Sequence, residues 1–412
     1  MRIAFLIRRK NYYRPLGPVV EEALRRGHQV ECWHDWAQPR SGWKGSEFPD
    51  STPAFGAGVP AVIRFHGLAD LADRFRMEPP EAVLSVDPPE PAVTPVVKTR
   101  WFWLQHSADL VLHPGAPQGL LEAEAVGMYS RWWVDKLAAV HNGAWLAHEI
   151  ARKAVVVGMP ELDVLPAIDP EEVRRRHGLP AGRPLVLYLP FPLKSFPPTF
   201  WLRNVFRPSN RAAQAIRTFL APRRGYSGPR RAYWPHVANG WNDRQLVQAL
   251  GAFCERNGAV LVMKSRVKDP VPGYARRYAA ARFDDPSYYP PTILELLRCA
   301  SLCVHVYSTA VLEAVACGVP GLCLAPEAPD MGLEAFRGDL VHNPAAGGVY
   351  SWAGAAYVRP LHEAFDGLRR WRLDDFPLRA AARREYVERF LGWDDQRSSA
   401  RLLDLVAARV RG

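Results

Sequence analysis

The chain has 412 residues, more than one hydrophobic core sustains, so two domains are expected. Hydrophobic residues make up 48% and charged residues 23%, which excludes a disordered chain; no apolar run approaches the roughly 18 residues of a membrane-spanning helix. The net charge of +11 favours anionic partners (nucleotides, phosphates, anionic lipid heads or nucleic acid), although a solvated basic surface would carry the same charge.

The opening MRIAFLIRRK has too short an apolar run for a signal peptide. RIAFLI (2–7) reads as a buried strand, and the periodicity of PLGPVVEEALRRGHQ (15–29) predicts a helix that Gly27 would stop. Further strands are expected at VECW (30–33), PAVIRF (60–65), AVLSV (82–86) and RWFWLQ (100–105). ADLVLH (108–113) is read as one more, with a helical segment after it. Strands alternating with helices imply a parallel sheet covered on both faces.

A stretch rich in Pro and Gly interrupts the alternation at 158–184. Within it Asp169 is expected to cap PEEVRRRHG, with Pro170 at the first helical position and Glu172 completing a capping box. Alternation restarts with strand LVLYLP (185–190), helix DRQLVQALGAFCERNG (243–258) and strand AVLVMK (259–264). Helix PTILELLRCA (291–300), strand LCVHVY (302–307), helix AVLEAVACG (310–318) and strand PGLCLA (320–325) follow, and the end from about Arg379 is helical and charged. The expected layout is an N-terminal domain at 1–158, a linker at 159–184, a second domain at 185–380 and closing helices at 381–412.

The second domain carries an unusual insertion at 194–242. No Asp or Glu occurs from Val173 to Asn242, and arginines such as Arg203, Arg207, Arg223, Arg224, Arg230 and Arg231 alternate with aromatic residues. Such a segment fits a membrane surface, a single-stranded nucleic acid or a lid over a phosphate-binding site.

The six cysteines show no C-x-x-C pair and read as reduced core residues of a cytosolic protein. No histidine pair has metal-ligand spacing, so no catalytic metal is expected. Walker A, G-x-S-x-G and G-x-G-x-x-G motifs are missing, which leaves ATPase, hydrolase and dehydrogenase readings without support.

The informative stretch is CVHVYSTAVLEAVACGVPGLCL (303–324). If Tyr307 ends a strand, Ser308 and Thr309 open a helix whose first N–H groups and dipole favour an anion. Two hydroxyls added there suit a diphosphate, and Glu313 faces the side of Thr309 and can accept both hydroxyl hydrogens of a ribose. The plainer alternative is an N-capped core helix. VMKSR (262–266) ends the preceding strand with Lys264 and Arg266, placed to neutralise a leaving diphosphate or simply to be solvated.

Three stretches resemble GT-B fold proteins, nearest to the branch of CDP-glycerol glycerophosphotransferases, capsule-type transferases and nucleotide-sugar 2-epimerase-like proteins. They are VVVGMPELDVL (155–165), similar to an interdomain G-x-P-x-x-D passage; TILELLRCASLCVHVYSTAVLEAVACGVP (292–320), similar to a donor-binding segment; and LGWDDQRSSARLLDLV (391–406), similar to a closing helix. The resemblance implies two Rossmann-like domains facing a central cleft, with a C-terminal helix returning toward the N-domain. It implies the same donor roles for Ser308, Thr309 and Glu313, with His305 and Tyr307 counted in the donor site and the RRK (8–10) loop at the cleft. In the similar transferases a His at a comparable strand end, usually followed by Gly, is the proposed base; here that is His106, followed by Ser107. An imidazole suits the task, and Asp109 is the candidate to orient it; a structural His is the alternative.

Two departures matter. Many retaining glycosyltransferases carry Glu-x7-Glu, whose first position is His305; the glycerophosphotransferase D-Y-S-S has Val306 at its Asp, with Tyr307, Ser308 and Thr309 matching the rest. The leading expectation is a metal-independent glycosyltransferase that uses a nucleotide-sugar donor and no cofactor, in cell-surface glycan or glycolipid assembly. A lipid-linked acceptor, with peripheral membrane contact through 194–234, would place it in the cytoplasm at the inner face of the membrane; nucleic acid is the least favoured partner. The alternatives are a CDP-glycerol-type polyol-phosphate transferase and a non-catalytic nucleotide-binding protein. A 2-epimerase is disfavoured, because YLPFPLKSF lacks that family's H-R-x-E-N run.

Overall fold

A computed structural model describes residues 1–37, 49–90, 93–94, 99–107, 109–112, 116–141, 144–190, 244–264, 273–283, 288–325 and 345–412. The chain forms two compact units: Met1–Ala167 with Pro286–Thr292 and Val387–Gly412, and Ile168–Asp285 with Ile293–Tyr386.

The first unit contains β1 (Arg2–Ile7), α1 (Tyr13–Arg25), β2 (Gln29–Asp35), β3 (Ala61–Phe65), α2 (Gly67–Met77), β4 (Ala82–Ser85), β5 (Arg100–Leu104), α3 (Asp109–Leu112), α4 (Ala116–Glu122), β6 (Ala125–Met128), α5 (Arg131–Val140), α6 (Ala144–Lys153) and β7 (Ala154–Val156). The strands form one parallel sheet in the order β3-β2-β1-β4-β5-β6-β7. Alternate residues of β1 feed opposite layers, as the two-residue period of a strand requires. Ile3, Phe5 and Ile7 pack with Leu16, Val19 and Val20 of α1, whereas Ala4 and Leu6 pack with Trp33, Phe65, Phe75 and Trp101. Both faces are therefore apolar, which is why the strand reads as a continuous hydrophobic run.

The end of the chain belongs to this unit. Its last helix, Ser398–Arg411, puts Leu402, Leu403 and Val406 into the α1 layer. The helix start is tied by Asp163, whose two oxygens accept from the Ser398 and Ser399 N–H groups at 3.1 and 2.6 Å. A carboxylate on otherwise unpaired helix donors satisfies them and complements the dipole. Arg401 adds a bond to the Val157 carbonyl at 3.0 Å. Gly158 has φ +90°, and a Cβ there would lie 2.4 Å from Ser398 Oγ, so a side chain is excluded on both counts. The G-x-P-x-x-D passage and the closing helix thus act on each other directly.

The second unit contains α7 (Pro170–Arg176), β8 (Leu185–Leu189), α8 (Arg244–Arg256), β9 (Val260–Lys264), β10 (Ala281–Phe283), α9 (Thr292–Cys299), β11 (Leu302–His305), α10 (Ala310–Ala316), β12 (Gly321–Ala325), β13 (Ala356–Pro360) and α11 (Leu361–Arg370). After them α12 (Ala380–Leu391) and α13 (Ser398–Arg411) complete the chain. The six strands form a parallel sheet in the order β10-β9-β8-β11-β12-β13. β8 and β11 lie at its centre, and every residue of β11 is buried. All six cysteines are buried, and none forms a disulfide.

Two local expectations are corrected. The 108–113 run is not a strand: Asp109–Leu112 is a short helix, because a brief apolar run has no alternation to separate a strand from a buried helix. Asp169 does cap α7, accepting from Glu171 N at 3.1 Å, but Glu172 completes no box and pairs instead with Arg175 at 2.9 Å.

Candidate functional site

The corner after β11 is built from the inside out. β11 pairs with β8 and β12, so its C-terminal end lies mid-sheet, where α/β proteins bind ligands. Tyr307 takes φ 42°, which a bulky aromatic residue adopts only when its surroundings enforce it, at a cost of about 1–3 kcal/mol. The enforcing contacts are Tyr307 N donating to Cys323 Sγ and Tyr350 O–H donating to the Tyr307 carbonyl, each at 3.4 Å. The chain then turns through Ser308 and Thr309, both half-buried, into α10.

His305 shapes this turn rather than facing solvent. Its ring is fully buried, and Nδ1 accepts from Ser308 N at 3.1 Å. The acceptor role fixes the proton on Nε2, which is sealed from solvent with no hydrogen-bond partner among the described residues. Burial pushes the imidazole down to about 3, so it is neutral at physiological pH and carries no charge for a phosphate. The unfolded chain then binds the extra proton between about 3 and the ordinary 6.5, so stability falls as pH drops through that window and is complete above it. Asparagine can offer an acceptor where Nδ1 sits and does not titrate. His305→Asn is expected to flatten the fall of Tm on acidification that the wild type shows over that range.

The N–H groups of the corner are largely committed. Ser308 N is held by His305, Tyr307 N by Cys323, and Ala310 N by Ser308 Oγ at 3.3 Å. This differs from the open helix start expected of the sequence, and it shifts donor capacity to the hydroxyls: Ser308 Oγ accepts from Ala310 and keeps its own O–H to give. Glu313, within α10, is 1% exposed. Lys264, the last residue of β9, is also buried and so is no solvated strand end. Arg266 lies outside the described residues.

The candidate base lies in the first unit, just beyond β5. Ser107 has φ 57° and bends the chain immediately after His106. Gln105 holds the bend with both ends of its amide, giving Nε2–H to the Ser107 carbonyl at 2.8 Å and accepting Tyr129 N at 2.9 Å. The Tyr129 hydroxyl accepts from Ser107 N at 3.0 Å and donates to Glu161 Oε1 at 3.3 Å. Burial raises this phenol well above its ordinary range, so it stays a donor. His106 Nδ1 lies 3.6 Å from the same Glu161 oxygen. Asp109 opens α3, and its side chain is outside the described part of the structure.

Sequence reading missed Glu161, Tyr129 and Gln105. A signal for Glu161 was present: a carboxylate amid the apolar and proline residues of GMPELDVL is as conspicuous as Glu313 amid its apolar helix. The 8–10 loop is largely occupied by protein carboxylates. Arg8 bonds Glu90 at 2.6 Å and lies 3.6 and 3.7 Å from Asp87 and Asp35, while Lys10 pairs with Asp50 at 2.9 Å. Among the described residues no group of three or more His, Cys, Asp or Glu could hold a metal, and no helix is long and apolar enough to cross a membrane.

No protein-family profile and no curated protein matches the chain. Solved structures do. A variant of the wall teichoic acid polymerase TagF aligns with 100% of this chain and 89% of its own, with a TM-score of 0.59 and 13% identity. The S. aureus MnaA–UDP co-structure aligns with 100% of this chain and 97% of its own, with a TM-score of 0.51 and 10% identity. The UDP-GlcNAc 2-epimerase of Neisseria meningitidis, bound to UDP-GlcNAc, aligns with 99% and 100%, again with a TM-score of 0.51 and 10% identity. Identities this low speak for the fold: the chain has the GT-B fold, with a parallel-sheet α/β unit in each half, like a teichoic acid polymerase and sugar-nucleotide epimerases.

Proposed function

We propose that the chain is a metal-independent transferase that moves a sugar from a nucleotide-activated donor to an acceptor hydroxyl, in the assembly of cell-surface glycan or glycolipid. The observation that carries this is the corner at Tyr307–Thr309, locked by His305 and Cys323 at the end of a central strand, with Glu313 one turn further on. Ser308 and Thr309 donate to the diphosphate, Lys264 offsets its charge and Glu313 accepts from the ribose. His106 takes the acceptor's hydroxyl proton on Nε2. The acceptor oxygen bonds to the donor carbon as the carbon–oxygen bond to the diphosphate breaks, and the diphosphate keeps that electron pair.

A second reading is favoured by Tyr307, Ser308 and Thr309, which match the last three positions of the polyol-phosphate pattern, and by the likeness to TagF, one of whose structures was soaked with CDPG. There the acceptor oxygen attacks phosphorus and a nucleoside monophosphate leaves. Incubation with UDP-, GDP-, CDP- and dTDP-activated sugars and with CDP-activated polyols separates the two by which compound is consumed. Stabilisation by nucleotides with no turnover of any compound would instead indicate a binding protein.

The acceptor on this reading is lipid-linked, and the basic, aromatic segment 194–234, which lies outside the described residues, brings the chain to the inner face of a membrane. Each arginine near an anionic surface contributes on the order of 1 kcal/mol, weakened by salt. Wild type should co-sediment with anionic vesicles at low salt and detach at high salt, and the variant with Arg223, Arg224, Arg230 and Arg231 changed to Ser should bind less. Equal partitioning under all conditions, or no binding, rejects membrane contact.

A further inference from the structure

We infer that Glu161 is the positioning residue for His106: it holds the ring with its proton on Nδ1, so that Nε2 offers its lone pair to the acceptor hydroxyl. This rests on His106 being the base of the proposed transfer. The carboxylate is 1% exposed, and its Oε2 is sealed from solvent with no hydrogen-bond partner among the described residues. His106 Nδ1 is likewise sealed and unbonded, 3.6 Å from Glu161 Oε1. A buried carboxylate short of donors is costly, and the imidazole beside it can supply one. The separation exceeds a hydrogen bond, but the contacts of a catalytic pair commonly tighten when substrate is bound.

The surrounding bonds hold the turn that carries the ring. Gln105 and Tyr129 both bond the Ser107 backbone and so fix the chain immediately after His106. Tyr129 also donates to Glu161 Oε1, so one hydroxyl ties the carboxylate to the turn that carries the imidazole. Arg14 contributes positive charge near that phenol. Nδ1 is sealed while the side chain as a whole keeps 16% exposure, so Nε2 is the ring nitrogen left to meet a substrate. When Nε2 takes the acceptor's proton the ring becomes cationic, and the carboxylate on its far side stabilises that charge without itself being protonated.

The test needs no substrate. Protein labelled with ¹⁵N-histidine is compared with Glu161→Met and Glu161→Gln at a pH where the ring is neutral; His106→Gln assigns the resonances. Wild type is expected to show His106 as the Nδ1–H tautomer. Glu161→Met, which removes the acceptor, is expected to move the majority to Nε2–H. Glu161→Gln keeps an acceptor but not the charge, so it should retain the tautomer while the Nδ1 proton resonance moves upfield; it decides the matter if the methionine variant does not fold. An Nε2–H tautomer in wild type, an unchanged tautomer in Glu161→Met, or an unmoved proton resonance in Glu161→Gln overturns the inference. Normal turnover of His106→Ala with the tautomer as expected would instead overturn the base assignment and leave the pairing in place.

Discussion

His106→Ala is expected to slow turnover about a hundredfold or more while leaving donor affinity unchanged, because a general base acts on the acceptor in the transition state and not on the bound nucleotide. The substitution leaves the bend in place. The bend at 105–107 is held by Gln105, Tyr129 and the Ser107 backbone, none of which uses the imidazole. The donor residues of the proposal, Lys264, Ser308, Thr309 and Glu313, all belong to the second unit. The measurement is a pair: steady-state turnover with the donor found active in the panel, and calorimetric affinity for its nucleotide. Normal turnover, or donor binding lost in proportion to rate, removes His106 from the role of base.

What could be read from the sequence depended on how each element buries itself. Strands covered on both faces, such as β1, β8 and β11, appear as unbroken apolar runs between turn signals and were legible. The three-residue β7, half-buried throughout, is too short an apolar run to read as a strand, and the half-buried edge strand β13 ends in Arg and Pro; neither was legible. The same burial hid the role of His305. Every residue of β11 is enclosed, so no alternation could show whether its histidine faces ligand or core, and only the bond to Ser308 N reveals a turn-holding group. Closeness in sequence points to Asp109 as a partner of His106, and its side chain lies outside the described part of the structure. Glu161 also approaches the ring, delivered by the passage after β7, and such a meeting of segments distant in sequence is a property of topology. The Gly158–Asp163 spacing was legible as a pattern, but its physical reason, a bidentate hold on the start of α13, requires both partners in view.

Glu313→Gln is expected to weaken nucleotide-donor binding by about one to two decades, the worth of a charge-assisted hydrogen bond of roughly 1.5–3 kcal/mol. A carboxylate can accept both ribose hydroxyl hydrogens, whereas an amide has one oxygen to offer and presents an N–H₂ group where the second acceptor stood. The burial of Glu313 sharpens the test. At 1% exposure the side chain is covered in this conformation, so a ribose reaches it only when that cover yields, and a structural Glu is the competing account. The two accounts predict different readouts. A structural carboxylate, once neutral, changes the melting temperature of the free protein and leaves donor affinity alone. A ribose acceptor changes affinity, and with it the extent to which the nucleotide raises the melting temperature, since a ligand that binds only the folded state stabilises it in proportion to the logarithm of its saturation. Calorimetric titration of wild type and Glu313→Gln with the active nucleotide, beside melting curves with and without it, separates them. Unchanged affinity in the variant would remove Glu313 from the donor site and leave the Ser308–Thr309 corner without a sugar-recognising partner on α10.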